Sequence, residues 1–505
     1  MIGPARQRAA RSATVRSLSI NLIVLVLGAA VAALAEPRGP ERLLPPSVPA
    51  PAPIALPTPN VRTLPNGLQV LVVERHSLPV LTLRLLVRAG AESDPPGLPG
   101  IAQITAGLLN EGTERRSEPE IAEAIDSAGG TVDSNAGWDS SYLVLTVLAD
   151  HAPLAFDLMA DMTLHPAFQP DEVERARRQT LSALDVLHND PGYLADAVLH
   201  QLALAGTPYG HPADGTAEAV TRLRPDDLAA FHSREYVPSR SVLAVVGDIS
   251  ATAAFDQAAH AFGGWREAAP AGTPSAAGSA PAGGAAVPGA QVVIIDKPDA
   301  VQTEIRVASA GIPRSSPDYV ALTVANQILG GPASNRLFSD LRGEHGLTYG
   351  ASSDLDCYLK SGIWVAKTST RTAETAKAVR RVLDEMTRLR DKPISPEDLQ
   401  QSVDYLIGHQ ALDFETSDSI ADQFLDLSAY RLPMDTWSAL PAALRRLTPA
   451  DVWAATRRYL DPQRAIIVLV GNAAEFEKDM RKLGAERVIP IGQLDLGSPQ
   501  LESGR

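Results

Sequence analysis

The chain has 505 residues, 45% of them hydrophobic and 21% charged, enough for a large core and for two to four domains. The formal net charge is −14 and no stretch is dense in Lys and Arg, which argues against a nucleic-acid partner. A single cysteine, Cys357, excludes an intramolecular disulfide and a cysteine-based zinc site, and reads as a small, buried apolar residue.

Arg6, Arg8, Arg11 and Arg16 precede an apolar run over residues 22–34, and Ala33-Leu34-Ala35 supplies a small-x-small cleavage pattern. Residues 1–35 are therefore expected to be a secretory signal peptide, with Glu36 opening the mature chain. The competing reading is an uncleaved anchor, for which the run is short. The expected location is periplasmic or secreted, with no stable membrane span after leader cleavage. No cysteine stands directly after the cleavage point, where Glu36 lies, which argues against a lipid anchor. Residues 36–60 are rich in Pro and Ala and read as an extended tether.

From here periodicity predicts strands and helices. Strands are expected over 68–76 and 81–90, after a turn at Asn66-Gly67, then a helix over 99–113, a strand over 141–150 and a helix over 152–164. Residues 268–289 (AAPAGTPSAAGSAPAGGAAVPG) cannot offset their ordering entropy with apolar burial and read as a disordered linker. Beyond it, strands are expected over 291–297, 303–311 and 362–370, and helices over 323–331, 375–389 and 396–412. The folded parts are thus 61–267 and 290–480, with a tail over 481–505. Strand pairs occur without an intervening helix, which favours an α+β fold over a doubly wound sheet.

The two parts are copies of each other. Leu223, Pro225, Asp227, Pro238, Arg240 and Gly247 recur 224 positions later as Leu447, Pro449, Asp451, Pro462, Arg464 and Gly471. QPDEVERARRQTL at 169–181 likewise matches SPEDLQQSVDYLI at 395–407. Two motifs in one order at nearly one offset indicate duplication.

Residues 64–113, together with YGHPADGTAEAVTRL and YVPSRSVLAVVGD, resemble the pitrilysin/insulinase family of zinc metallopeptidases, and the resemblance runs through nearly all of 61–480. It implies two homologous α/β-sandwich domains closing on a peptide. Active members carry His-x-x-Glu-His on a helix: two His one turn apart bind zinc, and the Glu between them takes a proton from the metal-bound water. In GIAQITAGLLNEGT the His positions fall on Gln103 and Gly107 and the Glu position on Ala106. The downstream acidic ligand position, after Glu174-Arg175-Ala176-Arg177, falls on Ala183. All three ligands and the base are absent together, so no catalytic set is intact and no metal or other cofactor is expected in this chain. The ten histidines offer no replacement, since no two stand three or four positions apart.

NRLFSDLRGEHGLTYGASSDL matches the family segment whose Arg and Tyr face the active site, here Arg342 and Tyr349. The resemblance implies a substrate clamp: the Tyr hydroxyl bonds the scissile carbonyl oxygen and the Arg forks onto peptide oxygens. Read singly, Arg342 is an exposed helix-end cation and Tyr349 a core-facing strand residue. The family also adds peptide to an edge strand, here near residues 133–139, where Trp138 and Ser134 could meet a ligand; the alternative is a plain strand and turn. The expectation is a non-catalytic subunit of a heterodimeric zinc endopeptidase. Its partner would carry His-x-x-Glu-His and the zinc, and peptide or unfolded protein would be the substrate. The alternatives are a structural or peptide-binding protein without a role in proteolysis, and an active peptidase with an atypical site.

Overall fold

The computed structural model describes residues 55–267, 290–332 and 335–502. The expected signal peptide, most of the tether and the whole linker lie outside them. The first half forms a six-stranded sheet from β1 (Asn60–Thr63), β2 (Gln69–Glu74), β3 (Val80–Val87), β4 (Thr131–Ala136), β5 (Ser141–Leu148) and β6 (Ser241–Gly247). Its order is β1-β2-β6-β3-β5-β4, antiparallel except where β2 meets β6. The second half repeats it with β7 (Gln291–Asp296), β8 (Gln302–Ala310), β9 (Ala351–Cys357), β10 (Gly362–Arg371), β11 (Ile466–Gly471) and β12 (Ala485–Pro490), in the order β12-β7-β11-β8-β10-β9. The α+β expectation and the duplication both hold. Registers agree as well: Arg84 of β3 faces Ala244 of β6, and Arg306 of β8 faces Val468 of β11, the residue 224 positions after Ala244.

Each sheet packs helices of its own half on one face. In the first half, Leu81, Leu83, Leu85 and Val87 meet the Ile101–Gly107, Glu118–Ser127, Ala152–Leu164, Pro225–Glu235 and Ala251–Phe262 helices. The opposite faces are covered by exchange. Helix Pro191–Ala203, from the first half, lays Leu194, Ala195, Val198 and Leu199 on Val293, Ala308, Val365, Val468 and Val470 of the second sheet. Helix Ser417–Ala429, from the second half, lays Ile420, Ala421, Phe424 and Leu425 on Leu71, Leu86, Val242 and Val246 of the first. The helix starts, 191 and 417, are 226 residues apart, the same spacing as the duplicated 169/395 motif. The central strands are consequently buried on both faces, which is why VLAVVG and IIVLVG read as unbroken apolar runs.

Three expectations are corrected. The tether does not extend to residue 60: Leu56 packs against the outer cluster of the first sheet and Asn60 opens β1. The second half does not end at 480, because β12 adds a parallel strand beside β7, and Leu496 and Leu501 close over the exchanged Pro191–Ala203 helix. That segment was illegible because its apolar residues follow no sustained period and its pairing partner lies nearly 200 residues upstream. Finally, the helix expected over 99–113 spans only Ile101–Gly107, and the chain then turns, with Gly112 at φ +122°. Among the described residues no helix is long and apolar enough to cross a membrane.

Candidate functional site

The Ile101–Gly107 helix starts at Gly100, whose φ of +91° and close approach to Gly215 leave no room for a Cβ. Asp94 caps it from six residues upstream, accepting from Gly100 N at 2.6 Å and Ala102 N at 3.0 Å. Burial pushes the Asp94 carboxyl up to about 7, against those two bonds, and His211 Nε2 stands 3.5 Å from it. On this helix Gln103 is half-buried, Ala106 is fully buried and Gly107 is exposed, with open space where a Cβ would stand. Beyond it Asn110 Oδ1 accepts from Ser134 Oγ of β4 at 3.1 Å. Arg175 pairs with Glu111 and donates to Glu172 at 2.7 Å, tying the turn to the Pro170–Leu187 helix. Burial raises the Glu111 carboxyl, opposed by the Arg175 charge. Ala183 is exposed on that helix and lines an open hollow with Arg175, Arg178, Gln179, Ser182 and Val186.

In the second half, Arg342 lies in a π-helical turn over Ser339–Glu344 and Tyr349 in the loop before β9. The structure brings the two together: Arg342 Nη1 donates to the Tyr349 carbonyl at 2.8 Å, and its guanidinium lies 5.8 Å from the Tyr349 ring centroid and 5.1 Å from that of Phe338. Tyr349 is 87% exposed, so it is not a core-facing strand residue. The loop holding it out is pinned. Thr370 Oγ1 donates to Leu347 O at 2.7 Å, Thr368 Oγ1 to Gly350 O at 2.9 Å, and Gly346 takes φ +60°. The π-helical turn is anchored by Asp340, 4% exposed, which accepts from Arg381 Nε at 2.8 Å.

A cluster that sequence reasoning missed joins the halves. Trp138 stacks on His200 at 5.6 Å and lies within 6.0 Å of the Tyr209, His211 and Tyr358 rings. Beside it Asp139 accepts from Tyr209 OH at 2.6 Å and from Leu359 N, across the halves, at 2.9 Å. Burial lowers His200 to about 4 and raises the Asp139 carboxyl. Of the two residues that could face a ligand near the edge strand, Trp138 packs in this cluster and Ser134 is bonded to Asn110. Residues 138, 200, 209 and 358 share no local pattern, so only tertiary proximity reveals them.

Comparison with known proteins agrees with this geometry. Residues 69–217 match the insulinase (peptidase family M16) model, and residues 222–406 match the model described as the peptidase M16 inactive domain. An uncharacterised zinc protease of Mycobacterium leprae is 30% identical over 329 residues, covering 64% of this chain and 72% of that protein. The chain belongs to the insulinase family. An uncharacterised zinc protease of Streptomyces coelicolor is 24% identical, covering 81% of this chain and 88% of that one. The crystal structure of a peptidase M16 inactive domain from Pseudomonas fluorescens covers 82% of this chain and 97% of its own, with a TM-score of 0.75 at 28% identity.

Insulinase-family membership implies a zinc ion, and the residues present do not fit one. Ala106, Gly107 and Ala183 carry no donor atom, and Gln103 offers only an amide. Among the described residues, one group of carboxylate and imidazole atoms converges, Asp340, Glu344 and His345, but the Asp340 carboxylate is already engaged by Arg381.

Proposed function

We propose that this insulinase-family chain is the non-catalytic, peptide-binding subunit of a periplasmic zinc metalloendopeptidase heterodimer. Its partner would be an insulinase-family chain carrying His-x-x-Glu-His, and the substrate an extended peptide or unfolded protein. The observation that carries this reading is an asymmetry: the metal positions offer nothing beyond the Gln103 amide, while Arg342 and Tyr349 stand together with the tyrosine held out on a pinned loop. A tyrosine hydroxyl so placed donates to a substrate carbonyl oxygen as negative charge develops there. Arg342 spends one N–H on the Tyr349 carbonyl and keeps others for peptide oxygens. The β4 edge adds backbone bonding that reads no particular sequence.

The test combines zinc analysis with peptide cleavage. The purified chain alone should hold no stoichiometric zinc and cleave nothing. Mixed with a His-x-x-Glu-His partner from the same organism it should cleave, and Tyr349→Phe should lower that rate by about a hundredfold, the scale of one lost oxyanion donor. Cleavage unaffected by both Tyr349→Phe and Arg342→Ala would sink the clamp and leave a structural subunit. Zinc-dependent cleavage by the lone chain would overturn the reading altogether.

A further inference from the structure

A cleft of about 710 Å³ in the first half is used by none of the contacts above. It lies between the Ala152–Leu164 and Ala251–Phe262 helices and the turn at Arg115. Asp157, Asp161 and His165 line it at four-residue steps, and Asp256 and His260 line it at the same step on the other side. That period puts each series on one helical face. Phe156 and Leu164 add apolar lining.

Asp161 is the unusual member. It is 2% exposed, and its Oδ2 accepts from Thr113 Oγ1 at 2.9 Å and Arg116 Nη1 at 2.5 Å. Its Oδ1 is equally inaccessible yet accepts no hydrogen bond among the described residues, and Arg115 Nε stands off at 3.8 Å on a side chain that is 62% exposed. A buried carboxylate oxygen without a donor is costly, so a second N–H donor is favoured there. Arg116 pairs with Asp157 and Asp161 together, which leaves the three carboxylates of the cleft one negative charge ahead of Arg115 and Arg116.

We propose that this cleft binds an organic cation, a guanidinium or primary ammonium on a short aliphatic stem. Its N–H donates to Asp161 Oδ1 in place of Arg115, and its stem lies along Phe156 and Leu164. The volume is that of a small-molecule pocket. A metal ion fits less well, since no three donor atoms of the cleft converge within 4.8 Å.

Calorimetry on the full chain at low salt tests this, with agmatine as a free cation and acetyl-Ala-Arg-Ala-amide as an arginine borne on a chain. Saturable one-to-one binding of either probe is expected. The tighter probe tells whether a free amine or a partner's arginine is the natural source. Arg115→Ala removes the internal competitor and should tighten binding roughly threefold, the scale of one exposed ion pair, whereas Asp256→Asn should weaken it by a similar factor. Asp161→Asn should abolish it. If that variant does not fold, Arg115→Ala and Asp256→Asn, both changing exposed side chains, still decide. No saturable binding to the natural chain or to Arg115→Ala would overturn the proposal. So would weaker binding by Arg115→Ala, or saturable binding of zinc or manganese alone that Asp256→Asn removes.

Discussion

Arg306 of the second sheet donates from Nε to Asp196 of the first half's exchanged helix at 2.8 Å. Arg84, at the same register in the first sheet, reaches Asp422 of the second half's exchanged helix at 2.9 Å. Residues 196 and 422 are 226 apart, so one ion pair is written twice, once in each direction across the two halves. Arg306 also bonds Glu304 at 3.0 Å and Gly192 O at 3.3 Å, and Arg84 also bonds Asp418 at 2.9 Å. The pairs sit where an apolar helix face meets an apolar sheet, and there they fix the register of the exchange.

The two pairs are not equal in strength. Arg306 is 8% exposed against a partly exposed Asp196, whereas Arg84 faces carboxylates that are more than half exposed. Arg306→Ala should therefore cost about 2 kcal/mol, below the full penalty for breaking a buried pair because Asp196 keeps access to water. Arg84→Ala should cost about 1 kcal/mol or less. Urea unfolding of both variants checks the order; a larger loss at Arg84 would contradict it.

Removal of residues 485–502 should be far more damaging than loss of an ordinary tail. It strips β12 from β7 and uncovers the groups packed on Ile489, Leu496 and Leu501, all buried. At about 1.5 kcal/mol or more for each buried side chain, the loss should exceed about 4 kcal/mol. An unchanged melting temperature in the truncated chain would show that the segment is dispensable.

The vanished metal centre should resist piecemeal restoration. Gly107→His projects into open space on an exposed position and should change stability by less than about 0.5 kcal/mol. Ala106→Glu places a carboxylate where the present side chain is 0% exposed and should cost about 3 kcal/mol. Thermal unfolding separates the two; equal stability would mean that Ala106 faces a cavity.

Asp94 gives a pH signature. Its folded carboxyl is raised to about 7 from 3.8, so the folded state holds a proton that the unfolded state releases. The stability tied to that proton is complete below pH 4 and is lost as pH rises to 7, by about 4 kcal/mol for a shift of this size. Asp94→Asn removes this dependence, but it keeps one acceptor oxygen where Gly100 N and Ala102 N now use two, so one of those N–H groups loses its partner. Urea midpoints measured at pH 5 and pH 8 should fall between the two pH values by more in the natural chain than in the variant; an equal fall in both would place the pH dependence in another group.

Much of the fold was legible. The strand run at 68–76 contains β2, the run at 81–90 covers β3 from its second residue on, and the helix at 152–164 matches residue for residue, because local apolar periodicity and capping decide such elements. The missing donors at 103, 106, 107 and 183 and the seven-residue spacing of Arg342 and Tyr349 were legible too, because chemistry that needs particular side chains shows in their presence or absence.

The sequence by itself determined the duplication, the α+β class, the family and the absence of zinc-ligand side chains at the motif positions. The tertiary structure alone decided that the halves exchange helices, that β12 completes the second sheet, that Trp138 packs against Tyr358 of the other half and that Asp161 Oδ1 is left without a hydrogen bond. The reason is range. Periodicity and motif spacing act within about ten residues, whereas Asp196 meets Arg306 across 110 positions and Arg84 meets Asp418 across 334. Contacts at that separation are selected by which apolar faces remain uncovered once the local elements have formed.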